Sequence, residues 1–122
     1  MLAIKRCKDA LLAIHDIRLH APGPDPKVVG TKQIVSWYCI TCKPEDNVKI
    51  EVIENLLKVV YTTTGKNANA GSQVFELNSS WAAPGKVYNV KVSLQKNPKV
   101  FGITIKPFPV IPTIPTNINL PF

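Results

Sequence analysis

The sequence predicts an all-β fold: an antiparallel sandwich of about seven short strands, followed by an extended Pro-rich tail. Three observations carry this. Apolar residues recur at every second position in one segment after another, as they do along half-buried strands. Clusters rich in Pro, Gly, Asn and Asp separate those segments at short intervals. Beyond residue 13 no window sustains the spacing of an amphipathic helix.

Residues 1–13 are basic and then briefly apolar, which reads as a leader or a short helix. The apolar run from Ala10 to Ile14 is short for an export signal. Residues 14–106 form the predicted sandwich. Ile17, Leu19 and Ala21 alternate with Arg18 and His20, and residues 22–26, with three Pro, end that strand. Residues 33–40 follow, with Val35 and Trp37 on one face. After the turn at 43–47, Val48, Ile50 and Val52 alternate with Lys49 and Glu51. Val59–Thr64 is β-branched and reads as a fourth strand, and residues 65–71 read as loop. Phe75 and Leu77 point inward from a fifth strand, which Ala83-Pro84-Gly85 ends with a tight turn. Tyr88, Val90, Val92 and Leu94 make the clearest alternation, and Phe101, Ile103 and Ile105 mark the return strand up to Lys106.

The chain has 122 residues and a formal net charge of +7, enough for one modest core. An apolar fraction of 45% excludes a wholly disordered chain, and no apolar run is long enough for a membrane-spanning helix. All eight acids lie at or before Glu76, so beyond it the charge comes only from Lys86, Lys91, Lys96, Lys99 and Lys106. Lys spaced along strands keeps exposed edges soluble, whereas nucleic-acid readout favours Arg, of which only Arg6 and Arg18 are present. The five lysines are therefore candidates for an anionic ligand such as an acidic glycan or single-stranded nucleic acid, with nucleic acid the disfavoured partner.

Three segments in order carry a resemblance. Gly30 and Trp37 precede Asn47-Val48-Lys49-Ile50-Glu51-Val52; Asn69-Ala70-Gly71 leads to Phe75; Pro84-Gly85-Lys86-Val87-Tyr88-Asn89-Val90 follows. Together they resemble a secreted immunoglobulin-like family found in bacterial surface proteins and fungal wall-glucan proteins, with a strand also shared by fibronectin type III domains. The sequence departs from that pattern at Tyr38-Cys39-Ile40-Thr41-Cys42 and near Pro107 and Pro109. The resemblance implies an immunoglobulin-like β-sandwich at the cell surface or outside the cell. Trp37 and Phe75 would then be core aromatics, and Tyr88 a tyrosine-corner residue with a buried ring and a backbone-bonded hydroxyl.

Cys39 and Cys42 have the spacing of a local disulfide, of two free buried thiols or of half a metal site. Only Cys7, His15 and His20 remain to complete a metal site, so no metal or other cofactor is expected. No nucleophile elbow, phosphate loop or close carboxylate pair is present, and the chain is read as no enzyme. Asn78-Ser79-Ser80 is a glycosylation sequon, meaningful in an exported chain. Tyr38 and Tyr61 are the aromatics that a carbohydrate-binding reading would need exposed.

Residues 107–122 contain five Pro and no charge. They carry Phe108, Val110, Ile111, Ile114, Ile118, Leu120 and Phe122, which a monomer does not readily leave in water. The tail either folds back on its own sandwich or docks on a neighbouring subunit, adding a strand or clasp to an exposed edge. These features lead to a non-catalytic structural or adhesion module, a homo-oligomer or surface-assembly subunit that self-associates through the tail, in the manner of a filament.

Overall fold

In a computed structural model, the structure describes residues 16–112. The expected leader at 1–13 lies outside them. The described chain is all β, with no helix and nine strands: β1 (Arg18–Ala21), β2 (Lys27–Val28), β3 (Lys32–Tyr38), β4 (Asn47–Glu54), β5 (Lys58–Lys66), β6 (Ala70–Glu76), β7 (Val87–Leu94), β8 (Asn97–Ile103) and β9 (Phe108–Ile111).

Two sheets share one core. The smaller has the order β1-β3-β6; the larger runs β2-β9-β7-β4-β5, with β8 also pairing β7. All pairings are antiparallel except β2 with β9, which sets Lys27 against Val110 and Val28 against Ile111. The alternation read from the sequence selects the inner faces. Val48, Ile50 and Val52 of β4 and Tyr88, Val90, Val92 and Leu94 of β7 are buried against Val35, Trp37 and Phe75 of the smaller sheet. Burying large apolar side chains of this kind contributes about 1.5–3 kcal/mol each.

Several boundaries differ from the sequence reading. β6 begins at Ala70, inside the stretch read as loop, because Gly71 pairs with Trp37 and lets its ring lie flat. β8 ends at Ile103, and Ile105 is fully in solvent, because Thr104 turns its hydroxyl into β7. There Thr104 Oγ1 accepts from the Val90 amide at 3.1 Å and from Asn89 Nδ2 at 2.9 Å.

The largest correction concerns the tail. Residues 108–111 are β9, seated between β2 and β7, so the folded unit runs beyond Lys106. Phe108 and Val110 are buried in this chain's own core and cannot dock on a partner; Ile111 is half-buried beside them. Pro109 is tolerated because its neighbours carry the ladder: Val110 N–H donates to the Lys86 carbonyl, and Gly85 N–H to the Val110 carbonyl. Ile114, Ile118, Leu120 and Phe122 lie outside the described residues.

Candidate interaction site

The chain enters and leaves at opposite ends. Asp16 sits at the end defined by Tyr38, the Cys39–Cys42 turn and the start of β4: Thr41 Oγ1 donates to its carboxylate, and Arg18 pairs with Tyr38. The other end holds the β4–β5 turn, the start of β7 and the whole of β9, with Glu54 opposite Tyr88 and Tyr88 opposite Phe108. There Val29 N–H donates to the Ile111 carbonyl, and the chain departs.

An aromatic row braces this exit end. Tyr61 stacks on Phe75 and Trp81, Trp81 meets Tyr88 edge-on at 5.8 Å, and Tyr88 leans on Phe108 at 6.0 Å. The Tyr88 ring is fully buried; its hydroxyl accepts from the Ala83 amide at 2.8 Å and donates to the Trp81 carbonyl at 3.3 Å. Trp81 and Phe108 were not singled out as core residues from the sequence. Trp81 lies in a turn with no alternation around it, and Phe108 is flanked by Pro on both sides.

Beside this row the β4–β5 turn is exposed and apolar. Leu57 N–H donates to the Glu54 carbonyl at 2.9 Å, and both central residues have positive φ, Asn55 at 52° and Leu56 at 60°. Positive φ at both central residues is type I′ turn geometry, which favours Gly at the second position; with Glu54 paired to Lys58, the connection holds three residues. Leu56 in the left-handed region costs about 1–2 kcal/mol relative to the right-handed one. The Leu56 side chain is 63% exposed and that of Leu57 89%.

From this turn β5 runs along the open edge of the larger sheet. Among the described residues no backbone hydrogen bond joins residues 59–65 to anything on the side away from β4. A bulge interrupts the β4 pairing at Val60, but residues 61–66 pair regularly with 47–52. Thr62 and Thr64 face solvent, while Tyr61 and Thr63 are half-buried and Gly65 is buried.

The candidate anionic-ligand lysines do not converge. Lys86 pairs with Glu54 at 3.3 Å at one end, and Lys96 with Asp46 at 2.9 Å at the other. Lys91 lies over the Phe101 ring at 4.7 Å, and Lys99 and Lys106 are exposed elsewhere. Tyr38 stacks on His20 and Tyr61 on Phe75 and Trp81, so neither presents two free faces to a sugar. Asn78 is exposed, and its side-chain oxygen accepts from the Ser80 amide.

Of the three states the sequence left open for Cys39 and Cys42, the structure holds the disulfide, with Cα atoms 5.3 Å apart. Asn69 fastens this turn to β6 by donating to the Cys39 and Cys42 carbonyls at 3.0 and 3.2 Å. At the far end, Lys27 is buried but for its contact with Asp25 at 2.8 Å. That hydrogen bond, and then the Asp25 backbone amide, hold the Asp25 carboxyl below the usual carboxylate range.

A shallow cleft of about 340 Å³ lies between β1 and residues 104–106, lined mainly by Leu19, His20, Pro22 and Ile105. Among the described residues no three His, Cys, Asp or Glu are grouped to hold a metal ion, and no helix is long and apolar enough to cross a membrane. No protein-family model matches the chain, and a search of curated proteins finds no match.

Proposed function

We propose that this chain is an immunoglobulin-like sandwich acting without catalysis, as a structural or adhesion module of an extracellular or cell-surface assembly whose subunits join through the C-terminal tail. The finer fold assignment draws on three features. The first strand region serves both sheets, β1 pairing with β3 and β2 running parallel to β9; Trp37 fills the core; Tyr88 bonds its hydroxyl to nearby backbone. The Cys39–Cys42 disulfide fits an oxidising compartment.

One observation carries the association reading. After seating Phe108 and Val110, β9 releases the chain at the end opposite Asp16, and the ten residues beyond Pro112 carry no charged side chain and include Ile114, Ile118, Leu120 and Phe122. Contacts made from one end of a subunit to another subunit are head-to-tail and need not close. An apolar tail contact also survives salt, which screens exposed charges within about 10 Å at 0.1 M.

The test is sedimentation velocity of the full chain over a concentration series at low and high salt. Concentration-dependent association that persists in high salt is expected. A monomer at every concentration overturns the reading.

A further inference from the structure

We propose that the open edge of β5 is the acceptor for the tail, and that residues 116–120 of a second copy add to it as one more antiparallel strand. This rests on the tail-mediated association proposed above and names its other half.

The acceptor is defined by what β5 lacks. Natural edge strands are blunted by Lys, Pro, bulges or inward charges, because a free row of amides and carbonyls recruits other strands. β5 has a bulge at Val60 and Lys at its two ends, yet from Tyr61 to Gly65 it carries no charge, no Pro and no irregularity. Its β-branched and aromatic residues suit a pleated, paired strand.

The occupant follows from charge and spacing. Pairing β5 with β5 of another copy about Thr62 sets Lys58 against Lys66 twice, and like charges directly opposite are destabilising. The tail has no charge. Between Pro115 and Pro121 it offers five residues with every amide present, Thr-Asn-Ile-Asn-Leu. Five residues span about 17 Å, the length of the regular part of β5. Along a strand Ile118 and Leu120 share one face and Asn117 and Asn119 the other. On β5 the half-buried Tyr61 and Thr63 likewise alternate with the exposed Thr62 and Thr64. The flanking prolines are compatible because an added strand is itself an edge.

Chain length makes the donor a second copy. From β9 to a position outside β5 is four strand spacings in the order β9-β7-β4-β5, roughly 19 Å at about 4.8 Å each. From the end of β9 at Ile111 the five steps to Thr116 reach at most about 18 Å, and an antiparallel strand must also begin beside Gly65, at the end of β5 away from β9, roughly 17 Å further along the strand. A chain therefore cannot lay residues 116–120 along its own edge.

The experiment compares two full-length variants with the parent by sedimentation velocity, each first checked for an unchanged urea midpoint. Thr62→Lys/Thr64→Lys charges the acceptor at two solvent-facing positions, and Ile118→Lys/Leu120→Lys charges the donor. Both are expected to weaken association by about tenfold or more. If only the tail variant weakens it, the β5 acceptor is overturned and tail-mediated association stands. If only the β5 variant does, or neither does, the tail reading falls and the proposal with it.

Discussion

Gly71 lies opposite Trp37 across the β3–β6 ladder, so close that a Cβ on it would come within 2.7 Å of ring atom Cζ2. Gly65 bounds the same ring, where a Cβ would sit 2.6 Å from Cη2. The ring is held in place because its Nε1 donates to the Asn67 carbonyl at 3.0 Å. Gly71→Ala also meets the Lys66 carbonyl at 2.8 Å, so neither ring nor backbone can simply move aside. We expect Gly71→Ala and Gly65→Ala each to destabilise the fold by about 1–3 kcal/mol, read from urea unfolding midpoints. An unchanged midpoint for both would show that the ring does not fill this slot.

The Tyr88 hydroxyl ties β7 to the turn before it through Ala83 and Trp81. Tyr88→Phe keeps the buried ring and removes only those bonds. The expected loss is about 1–3 kcal/mol, because the Ala83 amide is left without its partner. A variant as stable as the parent in thermal and urea unfolding contradicts this role.

The Cys39–Cys42 link closes a short loop, so the chain-entropy contribution is small, about 2 kcal/mol. Cys39→Ala/Cys42→Ala should lower the urea midpoint accordingly, and reductant should lower that of the parent by a similar amount. A parent midpoint indifferent to reductant argues against the bond.

Asp25 supplies a pH signature. Its carboxyl is depressed by Lys27, so folding binds fewer protons there than the unfolded chain does. The stabilisation is fully present above the unfolded carboxylate pKa of about 3.9, and is lost as pH falls through the lower folded value. Asp25→Asn should therefore be less stable than the parent near neutral pH, with the gap closing in strong acid. Urea midpoints across that range check it; a gap that widens toward acid reverses the assigned sign.

Much of the core was legible because its strands have one buried face. Tyr88 to Leu94 and Val48 to Val52 alternate cleanly, and each inner residue of those runs is buried. Two strands were not legible. β2 is only two residues, too short for any period, and β9 has Pro at its second position, which removes a ladder donor. Phe108 and Val110 therefore read as tail, although the parallel β2 and the start of β7 give them a place in the core. The polar start of β6 is a strand for a tertiary reason, the fit of Gly71 against Trp37. The open edge of β5 was invisible for the same kind of reason, since which strand ends a sheet is decided by order and not by composition. The Leu56–Leu57 turn lacked the Gly that marks such hairpins, so no local signal announced it.

The burial of β9 decides how the tail is tested. Cutting the chain after Lys106 would remove Phe108 and Val110 from the core and unfold β9, confounding assembly with stability. Substitutions beyond Pro112 avoid this. The most direct measurement is the sedimentation coefficient of full-length Ile118→Lys/Leu120→Lys beside the parent at matched concentrations. The parent is expected to associate and the variant to stay monomeric with an unchanged urea midpoint. A variant that associates as the parent does contradicts tail-mediated association.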